Sequence, residues 1–120
     1  MFTRKRLVLS KLFDDHTTYL GKCMNVCGWI ETMRVQQKNG LAFITLTDGS
    51  CMKSLQIILS PETDEELSKL DTIYQDGTKG VSLQVFGQIV ESPAKGQTIE
   101  MKCISLKILG KVILKRLHLS

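Results

Sequence analysis

Apolar and polar residues alternate in five separate stretches of the chain, and one stretch between them shifts to three- and four-residue steps. The first alternating run, "CMNVCGWIETMRV", covers Cys23 to Val35 and predicts a long strand. Met24, Val26 and Ile30 share one face; Asn25, Cys27, Trp29, Glu31 and Met33 share the other. Gly28 inside it predicts a strong bend or a bulge. "QQKNG" is a turn with Asn39-Gly40 at its tip, a strong hairpin signal. In "LAFITLTDGS" Ala42, Ile44 and Leu46 form the apolar face of a second strand, and Phe43, Thr45 and Thr47 form the other. After the "DGS" turn, "KSLQIIL" predicts a third strand with Leu55, Ile57 and Leu59 inward and Gln56 and Ile58 outward.

The period changes in "SPETDEELSKLDTIYQDG". Ser60 fits an N-cap, Pro61 the first turn, and Glu62, Asp64, Glu65 and Glu66 a helix start. Leu67, Leu70, Ile73 and Tyr74 line one side, and Gly77 ends the helix. "GVSLQVFGQIVESP" resumes alternation, with Val81, Leu83, Val85 and Ile89 on one face. "TIEMKCISLKILG" is the fifth strand. Its apolar parity switches from Ile99, Met101 and Cys103 to Ile104, Leu106 and Ile108, which predicts a bulge near 103–105. Before all of this, residues 1–20 form a leader in which "LSKLFDD" predicts a short helix with Ser10 as its N-cap. Three strands, one helix and two strands, with a long first strand and mid-strand glycines, match an all-β fold with one helix. This is the OB-fold, a five-stranded Greek-key barrel with a helix between strands three and four. The division expected is a leader at 1–20, a barrel at 21–110 and an aberrant or truncated tail at 111–120.

Composition narrows the function. The 120 residues suffice for one domain, and 16 Lys+Arg against 12 Asp+Glu give a net charge of +4, which permits an anionic partner without demanding one. No apolar run approaches the roughly 18 residues of a membrane span. The basic start "MFTRKRLVLSKLF" lacks the apolar core and cleavage site of a secretory signal. The chain therefore reads as cytoplasmic. Cys23 and Cys27 would lie about 13 Å apart on one strand, so they cannot share a metal there. With Cys51 and Cys103 they read as structural thiols. His16 and His118 sit at the two ends, outside the barrel, and no nucleophile, metal or phosphate-loop motif accompanies them. No catalytic or metal residue is expected.

The outward side of strands one to three suits another task. An aromatic side chain stacks on any base, and an amide offers a donor and an acceptor to a base edge. Phe43 and Gln56 are such a pair, and Arg34 and Lys38 could hold phosphates or a neighbouring base. The alternative is that Phe43 packs under the leader. The pattern alone leaves both open.

Several segments carry a resemblance. "VCGWIETMRV", "FITLTDGS", "LQII" and "GQIVESPAKGQTIE" fit the pattern V-x-G-W-[IV]-x-[TS]-x-R, F-[IL]-x-[LV]-x-D-G-S, [LV]-Q-x-[IV], G-x-[IV]-x-x-S-P-[AG]-x-x-Q-x-x-E. Over roughly residues 7–110 the chain resembles the N-terminal anticodon-binding domain of asparaginyl-tRNA synthetases, a class IIb family. The resemblance implies that Phe43 stacks on the central anticodon uridine and Gln56 hydrogen-bonds it. It implies that Arg34 contacts the anticodon loop and that Glu100 helps read the neighbouring base. Trp29 reads as structural. Glu31 and Met33 stand where the family often has arginine, which lowers the local positive field and favours weak or salt-dependent binding.

The expected partner is the anticodon loop of tRNA-Asn, and the isolated domain is expected to be a monomer, its parent a homodimer. A catalytic domain, with its ATP and magnesium, is not in this sequence, so the chain alone is not expected to charge tRNA. The tail "KVILKRLHLS" departs from the family's continuation. With chosen synonymous codons it reads GTG ATC CTG AAA CGT TTA CAC TTA, and a shifted frame of those bases gives D-P-E-T-F-T-L, which resembles that continuation. The expectation is a frameshift just past residue 111; downstream DNA encoding no synthetase in any frame would refute it. The other reading is a short basic extension in which Lys111, Lys115 and Arg116 touch RNA backbone. The rival function is a general single-strand binder that uses the OB groove without base preference.

Overall fold

A computed structural model describes residues 7–36, 40–60, 80–93 and 98–111. The elements are α1 (Leu9–Asp14), α2 (His16–Tyr19), β1 (Cys23–Val35), β2 (Ala42–Thr47), β3 (Leu55–Leu59), β4 (Val81–Glu91) and β5 (Ile99–Lys111). The strands close into a barrel in the order β1-β2-β3-β5-β4. All neighbours are antiparallel except β3 and β5, which run parallel. The helix expected at 60–77, from Pro61 onward, the tip of the 36–40 turn, most of the turn at 92–97 and the tail at 112–120 lie outside the described residues.

Unbroken alternation puts Ala42, Ile44 and Leu46 of β2, Leu55, Ile57 and Leu59 of β3, and Val81, Leu83, Val85 and Ile89 of β4 in the core. Leu9 and Leu12 of α1 join them with no exposed surface, so the leader helix seals the same core rather than standing apart from it. Its cap differs from expectation. The N-cap is Val8, and Ser10 lies inside the helix. The first-turn N–H groups are satisfied from the loop after β2: Leu9 N–H donates to Asp48 Oδ2 at 2.8 Å, and Ser10 N–H to Ser50 Oγ at 2.9 Å.

β1 departs from simple alternation. The ladder to β4 passes regularly through Gly28, and the extra residue in the ladder to β2 is Glu31, between the pairs Ile30↔Leu46 and Thr32↔Thr45. Gly28 answers a different need, because a Cβ there would lie 2.4 Å from the Thr47 carbonyl oxygen. The bulge flips parity beyond it. Met33, which alternation placed outward, packs on the core with Val35. Arg34 is exposed, opposite Phe43. In β5 the parity switch is a bulge at Ile104, between Phe86↔Ser105 and Gly87↔Cys103. Ile104 itself is 51% exposed, so it does not join the inward set with Leu106 as the apolar pattern suggested.

Candidate nucleic-acid interface

The outer faces of the post-bulge half of β1, of β2, of β3 and of the start of β5 form one continuous surface, because these strands are successive neighbours in the barrel. Four of the five residues singled out from the sequence fall on it. Arg34 sits across from Phe43, and its guanidinium carbon lies 4.4 Å from the Phe43 ring centroid. This is a cation–π contact. Phe43 is half-buried and belongs neither to the core nor to the apolar residues packed on it. A base stacking on the covered face of the ring must displace Arg34, which frees that charge for a phosphate. On the next strand, half-buried Gln56 donates an Nε2–H to Glu100 Oε1 at 3.4 Å. Glu100 is only 6% exposed. Lys38 lies outside the described residues.

Beside the Gln56–Glu100 pair opens a pocket of about 430 Å³, whose walls include Phe13, Thr32, Thr45, Lys53 and Thr98. Thr45 pairs with Gln56 across β2–β3, and its hydroxyl lies 2.6 Å from that of Thr32. The Lys53 ammonium lies 5.5 Å from the Phe13 ring centroid. The Ser54 hydroxyl donates to the Glu31 carboxylate, which occupies the acid that weakens the local positive field. Alternation had placed Thr45 on the outer face without giving it a role. Phe13, Lys53 and Ser54 carried no signal, because they come from the leader and an irregular loop. Trp29 is 39% exposed and lies alongside Gly49.

No group of three or more His, Cys, Asp or Glu among the described residues could hold a metal. His16 Nδ1 lies 3.2 Å from the carbonyl of Phe13, three residues earlier at the end of α1. None of the four cysteines is in a disulfide; Cys23 is exposed and Cys27, Cys51 and Cys103 are half-buried. Among the described residues no helix is long and apolar enough to cross a membrane.

Residues 24–109 match the sequence model of the tRNA anticodon family, described as an OB-fold nucleic acid binding domain. The chain belongs to this family. Among its relatives is the asparagine–tRNA ligase of Oleidesulfovibrio alaskensis, 39% identical over 88 residues, which are 73% of this chain and 18% of the relative. The asparagine–tRNA ligase of Syntrophobacter fumaroxidans is 38% identical over 99 residues, 82% and 20% of the two chains. The chain thus spans about a fifth of the length of these relatives. The same fold occurs in asparaginyl-tRNA synthetase from Pyrococcus horikoshii, at a TM-score of 0.64 and 18% identity over 79% of this chain and 21% of that one. It also occurs in the OBody AM3L09 bound to hen egg-white lysozyme, at 0.70 and 12% identity over 93% and 100% of the two chains.

Proposed function

We propose that this domain binds the anticodon loop of tRNA-Asn, with the central base stacked on Phe43 and its edge hydrogen-bonded by Gln56. The observation that carries the reading is the placement of a half-exposed ring and a half-exposed amide on neighbouring strands, with a guanidinium over the ring. Stacking grips any base, and the amide adds identity. Arg34 contributes a phosphate contact once a base takes its place over the ring. Charging, with ATP and magnesium, belongs on this reading to a catalytic domain like that of the much longer relatives. The domain itself acts as a monomer in the cytoplasm, as part or relative of a homodimeric synthetase.

Fluorescence anisotropy tests this with anticodon stem-loops at low and moderate salt, one carrying GUU and one altered only at its middle base. Tighter binding to GUU, lost in Phe43→Ala and in Gln56→Ala, supports the reading. Equal binding to both loops replaces it with a general single-strand binder. No binding at low salt refutes RNA recognition by this chain alone.

A further inference from the structure

We infer that Glu100 is a positioning residue that fixes which way round the Gln56 amide faces a bound base, and thereby selects uracil over cytosine. The inference rests on the anticodon reading above and assigns Glu100 a different role from reading a neighbouring base.

Gln56 and Glu100 are 44 residues apart in the chain. They meet because β3 and β5 pair in parallel at the next positions, Ile57↔Met101 and Ile58↔Lys102. Gln56 is half-exposed, whereas Glu100 is 6% exposed and presents almost no edge of its own to a ligand. Its carboxylate accepts the Gln56 Nε2–H. A carboxylate only accepts hydrogen bonds, so the amide must turn its NH2 toward it; the reversed amide would set oxygen against oxygen. At 3.4 Å the bond is long, so the orientation is set by the mismatch of the reversed amide rather than by the strength of the bond itself.

This matters because the two ends of an amide have nearly the same shape and opposite hydrogen-bond polarity. Uracil presents O4 as an acceptor beside N3–H as a donor. Cytosine presents, at the same places on the same ring, an NH2 donor beside a bare N3 acceptor. Either ring can stack on Phe43, so stacking does not choose between them. A glutamine free to turn over serves both pyrimidines, one with each orientation. Held by Glu100, it keeps Oε1 and its second N–H in one arrangement, the one that receives N3–H and donates to O4. Phe43 supplies grip, Gln56 supplies the bonds, and Glu100 supplies their direction.

The test measures dissociation constants by anisotropy for stem-loops carrying GUU, GCU and GUC, with wild type, Glu100→Gln, Glu100→Asp and Gln56→Ala. Circular dichroism establishes that each variant folds. The wild type is expected to prefer GUU over GCU by about tenfold or more. In Glu100→Gln, whose own amide can donate or accept, the ratio should fall toward one. Glu100→Asp keeps the charge but is one methylene short, and should lower the ratio as well. The GUU-to-GUC ratio should stay as in wild type, and adding Glu100→Gln to Gln56→Ala should change no ratio further. A uniform loss of affinity with the GUU-to-GCU ratio kept makes Glu100 merely structural and overturns the inference. Loss confined to the GUU-to-GUC ratio makes it a reader of the neighbouring base and also overturns it. A wild type that does not separate GUU from GCU refutes the underlying anticodon reading instead.

Discussion

Asp48 ties the amino-terminal helix to the barrel, and its removal should be costly in a way that depends on pH. One carboxylate oxygen accepts the Leu9 N–H at 2.8 Å. The other accepts the Ser50 N–H at 2.9 Å and the Ser50 hydroxyl at 2.6 Å. Ser50 Oγ in turn accepts the Ser10 N–H. In Asp48→Ala the helix loses a capping acceptor, worth about 1 kcal/mol. The two bonds to exposed Ser50 add about 0.5 kcal/mol each, at the lower end for a net hydrogen bond. The sum is about 2 kcal/mol. A domain of 120 residues unfolds with an entropy of about 0.25 kcal/mol per kelvin, so Tm should fall by about 8 °C. Burial pushes the Asp48 carboxyl up, but the Ser50 hydroxyl and the backbone N–H groups of Leu9 and Ser50 outweigh it and hold the group below its usual 3.8. The unfolded chain therefore takes up this proton at higher pH than the folded one. The stabilisation is complete above the unfolded value near 3.8 and is lost as pH falls through the lower, folded value. Asp48→Asn, which keeps the shape without the charge, should melt below wild type at pH 7 and converge with it in acid. Melts followed by circular dichroism from pH 7 downward check this. A Tm difference between wild type and Asp48→Asn that stays constant into acid would refute the charge argument. A shift under about 2 °C for Asp48→Ala at pH 7 would show that Leu9 and Leu12 hold the helix without the cap.

Other perturbations have equally definite outcomes. Gly28→Ala brings a Cβ to 2.4 Å from the Thr47 oxygen and 3.0 Å from Leu46 Cγ; denaturant titration should show a loss of about 3 kcal/mol, the upper end for overpacking. Phe43→Ala should weaken stem-loop binding about 5- to 150-fold, the equivalent of one stacked base, with little change in Tm because the ring lies outside the core. Arg34→Ala should flatten the log–log salt dependence of binding by about 0.7, one phosphate contact on a single strand, measured by anisotropy across a salt series. Asn25 is 4% exposed and its Oδ1 has no hydrogen-bond partner; Asn25→Val, tested by denaturant titration, should stabilise the domain by about 1 kcal/mol.

What the sequence disclosed follows from which constraints are local. Strands β2, β3 and β4 are legible because their period of two is never interrupted, so every second residue reports its face. The β5 bulge is legible for the same reason in reverse: an apolar parity that switches mid-strand needs an extra residue. The β1 bulge is not legible. Glu31 is polar, as either face of an exposed strand end allows, and the visible cue, Gly28, serves the close approach of Thr47 instead. The cap of α1 is not legible, because a serine at the right place points to a local partner, whereas the acceptor lies 39 residues away. Leu9 and Leu12 of the same helix are buried in the core.

The candidate site divides along the same line. Phe43 and Gln56 needed only alternation to be placed on one outer surface. Arg34 needed more. With β1 alternating unbroken from Ile30, Arg34 would share the inward face and Met33 would lie outside; the bulge at Glu31 exchanges them and sets the guanidinium over the Phe43 ring. Glu100 needed most. Its contact with Gln56 depends on a parallel pairing recorded at two positions only, between strands separated by an entire hairpin's worth of chain. No periodicity in either strand announces such a pairing. On the proposed reading, the residues that would grip a base are thus written locally, while those that would orient them depend on closure of the barrel. Substitutions at Arg34 or Glu100 therefore probe the assembled barrel in a way that substitutions at Phe43 do not. A variant that loosened the β3–β5 contact would keep the stacking ring and lose the held amide, leaving affinity for single strands with the choice between pyrimidines gone.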